Sequence, residues 1–364
     1  MKINHIEIEN YRNIENLKLD FDDINIIYGE NAQGKTNLLE ALYLFTGSKS
    51  FRGVKDSRLV KIGSEYAKLK ADFFSSKRKQ NAEIFIKGKR TASLNGIKKA
   101  SPALLGEEIK AVVFSPVHLS MIKDGPAERR KFIDNALCQL NSNYRNALKE
   151  YNRCLAQRNI ILKDMQQCGE LDEMLYVWNI NFAKAGAKII YQRQKYIEAL
   201  FPFAKEIFTG ISGGIEEINL ILKGAFDYAG YSVAEIEKKL LLQVEEHKKE
   251  DILNRITTVG PHRDDLEIFI NNNEARIYGS QGQQRSCVIA LKLAEASLLC
   301  EMTEIMPVAL LDDVMSELDE KRQDYILNHI KNWQVFITCC DKNTVLRLKE
   351  GKAIHIAGGK VMGD

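Results

Sequence analysis

Gly29, Glu30, Asn31, Ala32, Gln33, Gly34, Lys35 and Thr36 spell G-x-x-x-x-G-K-[ST] between a strand-like run and a helix-like run. The chemistry that this order serves is phosphate binding. Its glycines let backbone N–H groups close around phosphate oxygens, and Lys35 brings a positive charge to the β/γ oxygens. The Thr36 hydroxyl can ligate Mg²⁺, and the helix N-terminus that follows favours anions. A glycine turn before an ordinary helix would need both the spelling and its flanks to coincide by chance.

Two carboxylates far downstream complete the set. Pro307 introduces Val308-Ala309-Leu310-Leu311, an apolar run that ends at Asp312 and Asp313. It reads as a buried strand carrying acids at its C-terminal tip, where ligands collect in open α/β sheets. In a phosphate-loop ATPase the first acid is directed at Mg²⁺ and a following acid orients or deprotonates the attacking water. Asp312 therefore takes a metal role beside Thr36, and Asp313 the water role. Two aspartates capping the next helix would explain the acids without their partnership with Lys35. Lys35 and Asp312 are 277 positions apart (312 − 35), far more than a compact phosphate-loop kinase or GTPase uses. One site must join both ends of the chain.

Upstream of the acid strand, Tyr278-Gly279-Ser280-Gln281-Gly282-Gln283-Gln284-Arg285 opens a helical run from Cys287 to Leu299. Ser280 and Gln283 form an S-x-x-Q capping box, which by itself explains where that helix starts. Ser280, with Gly282 and Gln283, is also a second phosphate-binding device, able to meet a γ-phosphate presented by another subunit. Ser316-Glu317-Leu318-Asp319 follows the acids at once.

The elements that must position these groups are legible in outline. Ile24 to Tyr28 leads into the loop, and Leu38, Leu39, Leu42 and Phe45 then recur at helical spacing. Alternation in Ile3 to Ile8, Leu17 to Phe21, Tyr66 to Phe74 and Ala82 to Ile86 predicts a β-meander beside the loop. From about Pro126 to Phe208 the pattern becomes helical, for example Tyr144, Leu148, Tyr151 and Leu155, then Ile161, Leu162 and Met165. After Gly210 to Gly214, a strand is expected at Ile215 to Leu222 and a charged helix over Val233 to Leu253. The division expected is 1–125 and 211–364 as two parts of one α/β body, with 126–210 as an inserted helical lobe.

A chain of 364 residues is longer than one growing core favours, so two lobes are expected. With 52 basic and 49 acidic residues the net charge is only +3, and partners must be argued from local patches. From Arg129 to Lys205 there are 13 Lys/Arg against 7 Asp/Glu, a local excess of 6 (13 − 7), and Lys49, Arg52, Lys55, Arg58 and Lys61 form a second basic group. Such patches bind phosphate backbones without reading sequence, although an ordinary solvated face has the same composition. No base-reading fingerprint is present. The absence of a run of about 18 apolar residues, and a start that reads as a strand, predict a cytoplasmic chain without membrane contact.

Seven cysteines, Cys138, Cys154, Cys168, Cys287, Cys300, Cys339 and Cys340, show no metal-ligand spacing and are expected to be reduced, with Cys339-Cys340 as the buried end of a strand. His262 is expected to fix a turn between lobes, and Trp178 and Trp333 to be core. Arg12 and Asn13, after the first strand, suit either a nucleotide contact or a sheet-edge salt bridge.

Ser-x-Gly-Gln and Ser-x-Leu-Asp are the signature motif and the loop after the catalytic acid in ABC-type ATPases, which the chain resembles through Ser280 to Gln283 and Ser316 to Asp319. Within them it is similar to the RecF family along its whole length. The likeness rests on Asn10 to Asn13, Lys49-Ser50-Phe51-Arg52, Phe114-Ser115-Pro116, Gly125-Pro126-Ala127-Glu128-Arg129-Arg130-Lys131-Phe132-Ile133-Asp134 and Gly260-Pro261-His262-Arg263-Asp264-Asp265. The resemblance implies an ABC-type ATPase head with a helical second lobe and no long coiled coil. It also implies ATP and Mg²⁺ held between two protomers, Lys35 and Thr36 of one meeting Ser280 of the other. It further implies weak, DNA-stimulated ATP hydrolysis, binding to double-stranded or gapped DNA, and RecR with RecO as partners that load RecA. An SMC-like chromosome-organising ATPase is the alternative, disfavoured by the lack of heptads. In a transporter subunit the signature would lie nearer Lys35. Two departures stand out. The acid after Asp312 is Asp313 rather than Glu, one methylene shorter, which predicts slow hydrolysis. A switch histidine is expected after Val335 to Thr338, where Cys339-Cys340-Asp341 stands instead.

Overall fold

The computed structural model describes residues 1–164, 171–340 and 351–362. Met165, Cys168 and Asp341 lie outside the described residues. The chain divides into a first unit of Met1–Ser120, Gly210–Gly213 and Arg285–Asp364, and a second of Met121–Thr209 and Gly214–Gln284. Both chain ends therefore build the first unit. The fold is a mixed α/β head with the middle of the chain inserted, and no long coiled coil occurs among the described residues.

In the first unit a six-stranded sheet has the order Lys360–Met362, Lys352–Ala357, Ile24–Tyr28, Val335–Cys339, Val308–Asp312, Ala111–Phe114. All neighbours are parallel except the first pair. Every residue of Val308–Asp312 and of Val335–Cys339 is buried, as the unbroken apolar runs of a sheet covered on both faces require. A second, antiparallel sheet of six strands runs Ile14–Asp20, Lys2–Tyr11, Ala67–Ser75, Arg78–Lys87, Lys89–Leu94, Ile97–Lys98, and contains the expected meander. The helix Lys35–Leu44 contacts Val308–Asp312 and Val335–Cys339 in one sheet and Lys2–Tyr11 in the other. That position explains why eight of its residues are buried, on all sides rather than on one stripe.

The second unit contains the helices Pro126–Leu140, Ser142–Asp164 and Asp172–Ser212 up to Thr209, and a three-stranded sheet of Asn273–Glu274, Asp265–Ile270 and Ile218–Lys223. Arg129 of the first helix donates from Nε and Nη2 to both Asp265 oxygens at 2.7 and 2.8 Å, tying 214–284 to the helical stretch. The charged helix expected over Val233 to Leu253 is two, Val233–Glu246 and Lys248–Asn254. His247 divides them: its backbone leaves the helical region, and its ring lies 2.9 Å from the Gln243 carbonyl. His262 does fix a turn, but its partners are both within the second unit: Tyr151 Oη at 2.6 Å and the Thr257 carbonyl at 3.0 Å. Burial pushes its imidazole down to about 4, so the ring is neutral, accepting from Tyr151 and donating to Thr257. Trp333 is buried, whereas Trp178 is half-buried against Ile161, Leu162 and Leu175.

Arginines hold this unit from inside. Arg158 and Asp251 are fully buried and paired at 2.7 Å, with Asn179 and Thr257 accepting from the same guanidinium. Arg193 grips Asp134 through Nε and Nη2, both at 2.9 Å, and lies 3.9 Å from Asp264. Tyr228 donates to Asp264 at 2.8 Å, yet burial still pushes the Asp264 carboxyl up to about 7. An unfolded Asp titrates near ~3.9, so the native state holds a proton that the unfolded chain has shed between those values. The contribution of this group is complete below about pH 4 and is lost as pH rises to about 7. In thermal unfolding measured across that range, Asp264→Asn should lose stability less steeply with rising pH than the parent; parallel curves would contradict the assignment.

Candidate nucleotide-binding site

The loop between Ile24–Tyr28 and Lys35–Leu44 is held open by its backbone. Gly29 has φ 150°, and a Cβ there would lie 2.2 Å from the Ile356 carbonyl oxygen; Gly34, at φ 115°, is the residue before the helix. Only glycine meets both demands. Gly34 offers no side-chain cap, so the first N–H groups of the helix face whatever occupies the loop. The turn after Lys352–Ala357 steadies Gln33: Gly358 N–H donates to its side chain at 2.6 Å, and Gly359 N–H to its carbonyl at 2.9 Å.

Lys35 is buried and folds over its own loop, donating to the Gly29 and Glu30 carbonyls at 2.6 and 3.0 Å. Thr36 Oγ1 donates to Asp312 Oδ1 at 2.8 Å, so residues 276 positions apart touch. Burial pushes the Asp312 carboxyl above the usual carboxylate range, while hydrogen bonds from Thr36 and Thr338 pull the other way. A carboxylate in this state gains from a nearby cation. Asp313 follows in the left-handed region at φ 50°. Of the expected cysteine pair, Cys339 is buried but Cys340 is exposed. Its Sγ lies 3.5 Å from Lys35 Nζ and donates to Asn31 Oδ1 at 2.9 Å, because one step beyond the strand the chain has reached the loop.

A buried carboxylate that sequence reasoning passed over organises the rim. Glu40, fully buried in Lys35–Leu44, accepts from Tyr11 Oη and Arg12 Nε at 2.9 Å, from Arg12 Nη2 at 2.8 Å, and from Ser50 Oγ. Burial opposes its ionisation, yet the bonds from Arg12 and Ser50 hold it below the usual carboxylate range. Ser50 Oγ also accepts from the Arg52 N–H at 3.1 Å, and Arg52 Nη1 donates to Asn37 at 3.1 Å. Arg12 makes a salt bridge, to a helix residue rather than at a sheet edge, and with Asn13, Arg52, Arg58 and Asp313 it lines a cavity of about 540 Å³ over the phosphate loop. Val60 and Ile62 give that cavity an apolar side.

Ser280 lies in the second unit. Its N–H donates to Gln283 Oε1 at 2.7 Å and its Oγ accepts from the Gln283 N–H at 3.2 Å, which is the capping box expected. Gln283 also donates to Glu216 at 2.6 Å. Ser280 is exposed, and Ile277 and Tyr278 beside it are 63% and 72% exposed.

The family model for the RecF/RecN/SMC N-terminal domain matches residues 2–360. The DNA replication and repair protein RecF of Ruminiclostridium cellulolyticum is 40% identical over 370 residues, which span 99% of each chain. The chain belongs to the RecF family. A solved structure of the recombination mediator protein RecF with ATP, from the RecFOR pathway, superposes with a TM-score of 0.91 at 36% identity, covering 99% of this chain and 97% of that one. An SMC head bound to the winged-helix domain of ScpA shares the fold at a TM-score of 0.56 and 18% identity.

Within this member of the RecF family the basic groups counted from sequence are divided by the fold. Arg52 and Arg58 line the cavity and Lys61 pairs with Glu15 at 2.7 Å, leaving Lys49 and Lys55 exposed away from it. Arg129, Arg158 and Arg193 are buried in ion pairs, so the excess between 129 and 205 overstates the surface charge. Lys184 and Lys188, one turn apart on Asp172–Ser212, are exposed.

No helix among the described residues is long and apolar enough to cross a membrane. Glu40→Gln should cost about 3 kcal/mol by denaturant titration, because it removes the buried charge that the half-buried Arg12 pairs with. A loss below about 1 kcal/mol, the range of an exposed pair, would show that the rim does not depend on Glu40.

Proposed function

We propose that this chain is an ATP-driven switch of recombinational repair and replication restart: ATP closes a homodimer on double-stranded or gapped DNA, and hydrolysis reopens it. The convergence of Lys35, Thr36, Asp312 and Asp313 beneath one cavity carries the reading. Lys35 would exchange its loop carbonyls for phosphate oxygens, and the backbone of Gly29 to Gly34 would supply N–H donors. Thr36 and Asp312 present hard oxygen donors that suit Mg²⁺, which would neutralise phosphate charge when bound. No cluster of three or more metal-ligating side chains occurs among the described residues, as suits an ion that keeps waters and phosphate oxygens as ligands. Asp313 would hold the attacking water. Val60 and Ile62 would cover the base, and Arg12, Arg52 and Arg58 would meet the phosphates or ribose.

Ser280, exposed and set between Tyr278 and the start of a helix, suits a γ-phosphate presented by a second protomer, whose surface would also cover Ile277 and Tyr278. ATP can drive closure only by binding the closed dimer better than the open one. Lys184, Lys188, Lys49 and Lys55 would contact DNA phosphates without reading bases, so affinity should fall steeply with salt. The RecFOR context of the solved relative supports RecR, with RecO, as partners of the DNA-bound form in loading RecA.

Fluorescence anisotropy of labelled gapped duplex DNA tests this directly. ATP should tighten binding by the parent, and Lys35→Ala and Ser280→Arg should each abolish the gain although they lie in different units. Binding that ignores ATP and both substitutions would reject the clamp.

A further inference from the structure

Strand Val335–Cys339 lies between Ile24–Tyr28 and Val308–Asp312, with Thr338 in register with Asp312 on one side and Ile27 on the other. In sequence Thr338 looks like a β-branched filler of an apolar strand. It is 1% exposed, and a hydroxyl in such a place is unfavourable unless it is hydrogen-bonded. Its hydroxyl donates its single proton to Asp312 Oδ1 at 3.1 Å, and the Thr338 Oγ1 itself accepts the Asp313 N–H at 2.8 Å. One oxygen atom therefore ties together two consecutive acids.

Each bond fixes something different. Thr36 also donates to Asp312 Oδ1, so that oxygen is held between two hydroxyls and the carboxylate plane cannot turn without breaking one of them. Asp313 sits at φ 50°, where a residue with a Cβ needs outside support, and its N–H finds that support in Thr338. In this conformation Asp313 lines the cavity.

We infer that Thr338 is a positioning residue for the Asp312–Asp313 pair, orienting the first carboxylate toward the cation and fixing the backbone that presents the second to the attacking water. The inference rests on the nucleotide reading above. It also gives the strand tip a function at the place where a histidine was expected: the polar group that reaches the acids comes from inside the strand, while Cys340 beyond it contacts the phosphate loop.

Three variants of the full chain separate a positioning role from packing. Thr338→Val keeps the shape and removes the hydroxyl, while Thr338→Ser and Thr338→Ala both lack the methyl and differ from each other only in the hydroxyl. ATP hydrolysis, thermal unfolding and binding of a fluorescent ATP analogue with and without Mg²⁺ would be measured for each. Removing an outer-shell partner of a metal-directed group costs about 10–100-fold in metal affinity or activity. Thr338→Val and Thr338→Ala should lose kcat on that scale and should lose the Mg²⁺-dependent part of analogue binding while keeping the Mg²⁺-independent part. Thr338→Ser should recover both.

Equal behaviour of the Ser and Ala variants, or a Val variant with parental kcat and Mg²⁺ dependence, would overturn the inference. So would a fall in thermal stability that accounts for all three variants alike. A parent that fails to bind the analogue at all would remove the nucleotide reading itself, a different result from a parent that binds and a Val variant that matches it.

Discussion

Backbone pairing of Ile24–Tyr28 with Val335–Cys339 is the interaction from which the candidate site follows. In parallel register it sets Thr338 beside Ile27, and the next strand over carries Asp312 level with Thr338. From there the side chains have little freedom: Thr36 reaches Asp312, Cys340 reaches Lys35 and Asn31, and the turn at Gly358 and Gly359 reaches Gln33. A one-residue slip in this sheet would reverse which face each side chain occupies and separate every one of these pairs at once. The cost of such an error is what makes the register specific.

Around that sheet, buried charge serves orientation more than net stability. A buried ion pair returns little of its desolvation cost, but a half-satisfied one is heavily penalised, so each member is held where its partners are. Glu40 uses this to collect Tyr11, Arg12 and Ser50, drawn from a strand, the loop after it and the loop after a helix. The result is a phosphate loop whose walls are fastened to its own helix. In the second unit Arg129, Arg158 and Arg193 do the same, set among buried apolar side chains such as Phe132, Phe182 and Leu266.

The phosphate loop, the acid pair and the capping box could be read from sequence because each is a local spelling whose chemistry does not depend on the rest of the chain. Glu40 could not. On a helix with leucines at 38, 39 and 42 a glutamate reads as the solvent face, and only the antiparallel sheet on the other side of that helix buries it. Thr338 was hidden by its own suitability for a strand. The basic residues between 129 and 205 were countable but not separable, since sequence cannot distinguish an arginine that grips an internal aspartate from a lysine that faces water. Likewise, the break at His247 depends on one ring nitrogen beside one carbonyl, which helical periodicity does not register.

The topology also imposes an order on synthesis. Asn25, in the strand that leads into the phosphate loop, pairs with a strand 310 residues later. At about 5–20 residues per second, a ribosome needs roughly 15–60 s to make that interval, and pairing of such separation is slow even afterwards. Throughout that time the loop residues exist without the backbone that shapes them, and Ile24–Tyr28 has two open edges of the kind that recruit wrong partners. A nascent or prematurely ended chain is therefore unable to assemble this nucleotide site, whatever its N-terminal half has folded into. Completion of translation is the first condition that the candidate site must meet.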